Sequence, residues 1–228
     1  MTYSAHILSF LKSLHLPGRL PNGIMAMNPY QNKATFALCE KFYRKYYNNG
    51  HQRHILIGIN PGRFGAGITG IPFTDPVKLQ EECGITNDLP KKRELSADFI
   101  YRVIKAHGGN EGFFGQFYIG SVSPLGFTKG GKNLNYYDDP QLLKSLAPFV
   151  TDTIKKQIRF GVNTERAYCI GEGKNFQFLS RLNREHGFFK NIIPLPHPRF
   201  IMQYRRKKVD AYIQHYLNEL NGGRSSMP

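Results

Sequence analysis

Apolar positions along this 228-residue chain follow two periods. Residues 55–59 read Ile-Leu-Ile-Gly-Ile, and such a continuous apolar run is typical of a parallel strand that is buried on both faces. Shorter runs of the same kind predict further strands at residues 116–123, 166–170 and 191–196. These segments suit the interior of a sheet rather than its exposed edge.

Between the predicted strands, apolar residues recur every three to four positions, as on the buried face of a helix. The first such segment, residues 32–47, carries five of them on one stripe: Phe36, Cys39, Phe42, Tyr43 and Tyr46. The Asn-Asn-Gly sequence that follows is a helix stop signal. The same spacing predicts helices at 97–107, 139–158, 174–186 and 209–220.

Strands and helices alternate without a long linker or an internal repeat. This order predicts one α/β domain over residues 1–228, with a parallel sheet that is covered by helices on both faces. Residues 221–228 follow the last helical pattern and are predicted to be a disordered tail.

The net charge of the chain indicates which class of molecule it binds. It has 31 Lys and Arg against 16 Asp and Glu, a formal net charge of +15. Such a balance favours a polyanion, above all nucleic acid, because contacts to phosphates release condensed counterions. A basic surface that serves solubility alone is the alternative.

The cysteines and the hydropathy of the chain indicate in which cellular compartment the protein works. Cys39, Cys83 and Cys169 are far apart and form no CxxC pair, so reduced core residues, no metal site and no iron–sulfur cluster are predicted. No apolar run approaches the ~20 residues of a membrane span, and no signal peptide opens the sequence. We expect a cytoplasmic protein without a membrane partner or a cofactor.

A glycine-rich loop follows the first predicted strand, in the sequence "INPGRFGAGITGIPF". Ligands of open α/β sheets bind at the carboxyl ends of the strands, and glycines let the backbone approach them closely. The loop lacks the Lys-Ser/Thr of a phosphate-binding Walker sequence. An ordinary tight turn is the structural alternative.

Three polar residues follow predicted strands and are candidates for one shared pocket. They are Asn60 in "GINPG", Ser121 in "GSVSPLGF" and His197 in "PLPHPRF". Each also has a structural interpretation, respectively a turn cap, a satisfied core hydroxyl and a surface histidine.

Together these stretches resemble the uracil-DNA glycosylase superfamily, and within it the single-strand-selective monofunctional branch called SMUG. The resemblance rests on "GINPGRFGAGITGIPF", "SPLGF" followed by "GGKNL", and "PLPHP", in that order, with fainter similarity in "GIMAMNPY" and "ELSADFI". It implies a three-layer α/β/α fold around a four-stranded parallel sheet. It also implies hydrolysis of the N-glycosidic bond of a flipped uracil in DNA, without lyase activity.

The resemblance also implies roles for individual residues. Asn60 orients the attacking water, with the Ile59 carbonyl as a second acceptor. Phe73 stacks on the extruded base, and His197 donates a hydrogen bond toward uracil O2. Gly62 stands where relatives carry a bulky residue, which leaves room for 5-substituted uracils such as 5-hydroxymethyluracil.

Two departures from the family pattern are Ser121 and the sequence "HPRF" at residues 197–200, which replaces the more usual small, proline-rich continuation, so the wedge loop is expected to differ in its chemistry. Ser121 stands where the family usually has an asparagine that recognises the uracil edge, and a hydroxyl offers fewer hydrogen bonds than an amide. No carboxylate adjoins Asn60, since the nearest one in the following sequence is Asp75. Catalysis is therefore expected to depend on positioning and on stabilisation of the leaving base.

The segment "HPRFIMQYRRKK", residues 197–208, is the predicted DNA contact. Phe200 is predicted to enter the gap left by the flipped nucleotide, with Ile201 and Met202 beside it. Cations at Arg199, Arg205, Arg206 and Lys207 would hold phosphates. The alternative is that the apolar residues pack in the core and the cations form the first turn of the final helix.

The function predicted is uracil excision in base excision repair, acting as a monomer on single- and double-stranded DNA. The enzyme would work in the nucleoid of a bacterium or the nucleus of a eukaryote. A non-catalytic nucleic-acid-binding α/β module explains the charge and the aromatic residues equally well, but not the three loop residues.

Overall fold

The computed structural model of the protein describes residues 1–16 and 18–222. Within them the strands are β1 Ile24–Met27, β2 Arg53–Gly58, β3 Phe117–Ser121, β4 Gly126–Lys129, β5 Lys132–Leu134, β6 Val162–Ile170 and β7 Asn191–Leu195. The helices are α1 Tyr3–Lys12, α2 Lys33–Tyr47, α3 Ala66–Thr69, α4 Pro76–Glu81, α5 Leu95–Ala106, α6 Gly109–Gln116, α7 Pro140–Ile158, α8 Lys174–His186, α9 Pro198–Tyr204 and α10 Val209–Leu220. Short 3-10 turns cover Pro29–Gln31 and Arg206–Lys208. Most of the predicted tail, residues 223–228, lies outside the described residues.

Strands β2, β3, β6 and β7 form a four-stranded parallel sheet in the order β3-β2-β6-β7, flanked by helices. This confirms the predicted fold class. Ile55, Leu56 and Ile57 of β2 are at most 2% exposed because side chains from both faces cover them. A strand at the centre of a covered sheet has no solvent-facing side, which explains its unbroken apolar sequence.

Helix α2 illustrates how closely local signals determine the elements. Asn32 caps its first turn, where the side-chain oxygen accepts a hydrogen bond from the Thr35 N–H at 3.0 Å. Its apolar stripe is buried, with Cys39 and Phe42 in the hydrophobic core. The predicted bounds of this helix differ from the observed ones by one residue.

A second sheet, which the sequence analysis did not predict, joins β1, β4 and β5 in antiparallel order. Its hairpin turns at Gly130 and Gly131, whose φ angles of +55° and +70° favour glycine. The strands have only three or four residues, too few to establish an alternating pattern. This small sheet lies beside the carboxyl end of the parallel sheet and supplies part of the pocket wall described below.

At the amino end of β2, Arg53 is a buried cation that is 1% exposed. Its guanidinium donates hydrogen bonds to the carbonyl oxygens of Phe114 and His51, at 2.7 and 2.9 Å. It also lies between the rings of Tyr3 and Tyr47, 4.8 and 4.9 Å from their centroids. Arg53 thereby holds helix α1 and helix α2 against the start of the sheet.

Among the described residues, no helix is both long and apolar enough to cross a membrane.

Candidate active site

The predicted site residues meet in a cavity of about 730 Å³ at the carboxyl end of the parallel sheet. Eight of them line it: Ile59, Asn60, Gly62, Phe73, Ser121, His197, Arg199 and Phe200. Arg205, Arg206 and Lys207 are not part of this lining. Within residues 1–16 and 18–222, no three His, Cys, Asp or Glu side chains are grouped so that they could hold a metal ion.

The side-chain amide of Asn60 is fixed by backbone groups at the end of β5 and just after it. Its Oδ1 accepts a hydrogen bond from the Tyr136 N–H at 3.0 Å, and its Nδ2 donates to the Leu134 carbonyl at 3.2 Å. A weaker contact of 3.4 Å joins Nδ2 to the Pro61 carbonyl. Both amide hydrogens are therefore used, and the capacity left to Asn60 is the second lone pair of Oδ1. The residue is positioned to accept one hydrogen bond from a ligand or a water.

His197 is the N-cap of α9, and this determines its tautomer. The Arg199 N–H donates to Nδ1 of His197 at 3.1 Å, so Nδ1 carries no proton and the neutral ring carries its hydrogen on Nε2. Burial lowers the pKa of His197 to about 4, and the positive charge of Arg199 acts in the same direction. At neutral pH His197 is therefore an uncharged hydrogen-bond donor through Nε2.

Phe73 is held in an unusual backbone conformation against the end of β2. Its φ angle of +51° is the only positive one among the described non-glycine residues, a strain typical of functional sites. A Cβ on Gly58 would lie 3.0 Å from the Phe73 ring, so glycine at residue 58 lets the ring pack this closely on the strand. The centroids of the Phe73 and His197 rings are 6.4 Å apart. An aromatic floor thus lies beside the histidine.

Ser121 ends β3, and its backbone is held from both sides by one buried amide. The Ser121 N–H donates to Oε1 of Gln157 at 3.4 Å, and Nε2 of Gln157 donates to the Ser121 carbonyl at 3.1 Å. Its hydroxyl makes no hydrogen bond to the residues that the structure describes and faces the pocket. Gly58 pairs with Ser121, so the Ser121 hydroxyl belongs to the strand end next to the one against which the Phe73 ring lies.

Glu94, a carboxylate in the pocket wall, was not predicted from the sequence. It occupies the N-cap position of α5 without a side-chain capping bond, and its N–H donates instead to Oδ2 of Asp75 at 2.7 Å. Burial raises the pKa of Glu94 to about 7; the nearby Asp75 raises it further and Arg199 opposes the rise. Asp75 itself is buried and caps α4, where Oδ1 accepts the N–H groups of Val77 and Lys78.

The space in front of Gly62 differs from the sequence-based expectation, which left it open for a 5-substituent. A Cβ on Gly62 would lie 2.8 Å from Oε1 of Glu94 and 3.6 Å from Nδ2 of Asn133. A Cβ on Gly65 would overlap the same carboxyl group. The glycine-rich loop therefore accommodates a carboxyl group of the protein itself. The only sequence signal for this was the position of Glu94 in "ELSADFI", a stretch that carried the family resemblance.

The predicted DNA-contact segment divides into an exposed and a buried part. Phe200 is 42% exposed at the rim of the pocket, whereas Ile201 and Met202 are at most 5% exposed and pack in the core. The prediction of three adjacent wedge residues is therefore wrong for these two, because α9 turns them inward against α5. Tyr204, which was not predicted, is 61% exposed with its ring 5.8 Å from that of Phe200.

The cations in the second half of this segment are exposed. The Arg205 guanidinium lies 5.2 Å from the centroid of the Phe200 ring. Arg206 and Lys207 belong to a 3-10 turn that precedes α10, rather than to the first turn of that helix. Arg63, Arg93 and Lys132 are further cations at the pocket, which the sequence analysis did not single out.

Comparison with known proteins assigns the chain to one enzyme superfamily. Residues 44–221 match the uracil DNA glycosylase superfamily, and the chain belongs to that superfamily. The chain is also similar to a solved protein, wild-type SMUG2 from Pedobacter heparinus, with 44% sequence identity and a TM-score of 0.96. The similarity covers 99% of this chain and 100% of that one, which confirms the resemblance based on the motifs. The curated proteins include no match.

Proposed function

We propose that this protein is a monofunctional DNA glycosylase that hydrolyses the N-glycosidic bond of deoxyuridine, and of 5-substituted deoxyuridines, in base excision repair. One observation carries the proposal: a fixed amide at Asn60 and a neutral imidazole at His197 line the same pocket as the aromatic floor of Phe73. This combination suits a reaction in which a water attacks a sugar while a planar base leaves with negative charge.

His197 stabilises the leaving base. As the bond between C1′ of the sugar and N1 of the base breaks, negative charge develops on the uracil ring, including O2. The Nε2–H of His197 donates a hydrogen bond to that oxygen without first having to lose a proton, since burial keeps the ring neutral. In a pocket with little water, the hydrogen bond from this neutral donor becomes stronger as negative charge develops on the base. It therefore stabilises the transition state more than the bound substrate.

Asn60 positions the attacking water. The free lone pair of its Oδ1 accepts one water hydrogen and directs the water oxygen toward C1′. The Ile59 carbonyl already accepts a hydrogen bond from the Ser123 N–H at 3.1 Å, and its second lone pair is available to the same water. Attack by water, rather than by an amine of the protein, leaves an abasic site and an intact strand.

Three groups recognise the flipped base. Phe73 stacks on its face, and the Ser121 hydroxyl contacts the edge that carries N3 and O4. With O2 at His197 and O4 at Ser121, the edge at C5 is the one that faces the glycine-rich loop at Gly62 and Glu94.

The rim of the pocket binds DNA. Phe200, with Tyr204 beside it, enters the gap that the extruded nucleotide leaves, which offsets part of the cost of unstacking. Arg199 reaches this gap or a flanking phosphate, and Arg205, Arg206 and Lys207 hold the phosphates beyond it. The net charge of +15 supports both single- and double-stranded DNA as partners of a monomeric enzyme.

Release of uracil from a fluorescently labelled single-stranded oligonucleotide tests the proposal. We expect free uracil and an alkali-labile site, with the strand intact before alkali treatment and with the same rate in EDTA. A double-stranded substrate with uracil opposite guanine is measured in parallel. Binding of both DNAs without any release of uracil would instead support the non-catalytic nucleic-acid-binding module.

A further inference from the structure

A buried hydrogen bond joins the segment after β5 to the first turn of α8. The Tyr136 hydroxyl donates to Oδ1 of Asn175 at 2.9 Å, and both side chains are at most 1% exposed. Asn175 belongs to the sequence "GEGKNF", residues 171–176, which connects β6 to α8. In the described part of the chain, neither residue is among those that line the pocket. The pair therefore acts on a ligand only through other residues.

On one side, this pair is continuous with the hydrogen bonds of Asn60. The N–H group that Oδ1 of Asn60 accepts, at 3.0 Å, is that of Tyr136 itself. The Tyr136 ring packs against Phe178 of α8, with the ring centroids 5.1 Å apart, and its hydroxyl is bound by Asn175 of the same helix. The position of the N–H group that orients Asn60 therefore depends on where α8 holds the Tyr136 side chain.

On the other side, Asn175 holds the end of β6 beside His197. Its Nδ2 donates to the carbonyl oxygen of Ile170 at 3.1 Å. The N–H of Gly171, the next residue, donates to the Leu195 carbonyl at 2.7 Å, two residues before His197. A Cβ on Gly171 would lie 3.8 Å from Cδ2 of His197, so the backbone that Asn175 holds lies next to the edge of the imidazole ring.

We propose that Tyr136 and Asn175 are positioning residues that set the separation between Asn60 and His197. This inference rests on the proposed function, in which Asn60 directs a water at C1′ and His197 stabilises the base that leaves from it. The water and the base lie on opposite faces of C1′, so the reaction requires the two side chains to be held at one separation.

The topology of the sheet explains why such a connection is needed. Asn60 follows β2 and His197 follows β7, and these strands are not neighbours, because β6 lies between them. Strand pairing therefore does not join the two loops directly. A hydrogen bond has a defined length and direction, so the Tyr136–Asn175 bond specifies one arrangement of the loops where an apolar contact would allow several.

Tyr136→Phe tests this role because it removes the hydroxyl alone and keeps the ring and the N–H group that Asn60 accepts. Single-turnover excision of uracil from a single-stranded oligonucleotide is measured over a range of protein concentrations. We expect the maximal rate to fall ~10-fold and the protein concentration at half-maximal rate to change by less than about twofold, because the substitution misplaces the reacting groups without removing a DNA contact. Asn175→Ala is expected to lower the maximal rate by at least the same factor.

The double variant shows whether the two residues act through one hydrogen bond. If they do, Tyr136→Phe combined with Asn175→Ala is expected to be no slower than Asn175→Ala alone, because the bond is lost only once. A loss of rate equal to the product of the two single losses would mean that the residues act independently, and would overturn the proposed coupling.

Tyr47→Phe is the matched control for a structural effect. The Tyr47 hydroxyl is also buried and donates to a backbone carbonyl, that of Phe117 at 3.1 Å, but at the amino end of the parallel sheet. Its loss is expected to lower Tm by about as much as Tyr136→Phe does and to leave the excision rate at 25 °C unchanged. Thermal unfolding gives both Tm values and verifies that each variant is folded at the assay temperature.

Three results would overturn the inference and leave the proposed function intact. One is a maximal rate for Tyr136→Phe within about twofold of that of the unmodified protein. Another is an equal loss of rate in Tyr136→Phe and Tyr47→Phe, which would mean that both hydroxyls act through stability. The third is a higher half-maximal protein concentration at an unchanged maximal rate, which would mean a role in DNA binding. Release of no uracil by the unmodified protein would instead overturn the proposed function, and this inference with it.

Discussion

The two ends of the central strand β2 differ in how far the protein compensates a charged side chain: buried Arg53 at one end and half-buried Glu94 at the other. At the amino end, Arg53 donates to backbone carbonyls and lies between two tyrosine rings. At the carboxyl end, Glu94 has no capping bond and no ion pair among the described residues. Burial lowers the pKa of Arg53 and raises that of Glu94, so in both cases the environment disfavours the charge. Of the two, only Arg53 makes hydrogen bonds to described residues that compensate its charge, as the donor in each.

This difference distinguishes a structural charge at one end of the strand from a candidate functional charge at the other. A charge with all its partners stabilises the packing around it, whereas a charge without them is retained where a ligand can interact with it. The same contrast extends to the neighbours. Tyr47 is buried and its hydroxyl donates to the Phe117 carbonyl at 3.1 Å, whereas Ser121 keeps a free hydroxyl and Phe73 a strained backbone.

The largest expected effect is on catalysis at the carboxyl end. Asn60→Ala and His197→Ala are each expected to lower the single-turnover rate of uracil excision by about 10²–10³-fold, because each removes one preorganised polar group from the transition state. Circular dichroism and thermal unfolding verify that the variants are folded. A rate within a few fold of the unmodified protein would remove that residue from its proposed role.

The second effect concerns stability at the amino end. Arg53→Met keeps most of the side-chain volume between the two rings but leaves the carbonyls of Phe114 and His51 without their donor. We expect a loss of about 2–3 kcal/mol and a fall in Tm of roughly 5–10 °C. Excision per folded molecule at 25 °C is expected to stay the same. Arg102→Met, an exposed arginine on α5, is the matched control. A variant that unfolds normally but loses activity would contradict the division between the two ends.

The sequence predicted the parallel sheet and five of the ten helices in the described part of the chain, because their signals are local. Buried strands such as β2 and stripes such as that of α2 repeat over enough residues to be recognised, and the motif loops at Asn60, Ser121 and His197 follow directly from strand ends. The antiparallel sheet escaped prediction because its strands are short and pair residues that are far apart in the sequence. Glu94 was not predicted for a related reason, since its neighbours in the pocket, Gly62 and Gly65, are about thirty residues earlier in the sequence.

Which apolar residues of α9 are exposed and which are buried also depends on three-dimensional packing. Phe200, Ile201 and Met202 are all apolar, and no local signal distinguishes the exposed one from the two buried ones. Only the docking of α9 against α5 assigns them to different sides. The tautomer of His197 likewise follows from one hydrogen bond to a helix that the sequence analysis did not predict.

The smallest effect tests directly whether the charge of Glu94 is a cost to the fold. The pKa of Glu94 is raised from 4.5 to about 7, so the folded state keeps its proton over a range in which the unfolded state has lost it. Stability therefore falls as pH rises through this range, and the full penalty is present only above pH 7. Glu94→Gln removes the penalty. Because the side chain is partly exposed, we expect a gain of only about 1–2 kcal/mol, or roughly 2–6 °C in Tm, at pH 8.

At pH 4.5 the same pair of proteins is expected to have nearly equal Tm values, since Glu94 is then protonated in the folded state and resembles glutamine. Asp75 and Arg199, the charged groups that act on Glu94, are present in both proteins, so the two proteins differ only in the group at residue 94. Differential scanning calorimetry of both proteins from pH 4.5 to 8 gives this difference directly. An offset that is the same at every pH would mean that the carboxylate is not penalised in the folded state, and the contrast with Arg53 would then have to rest on hydrogen bonding alone.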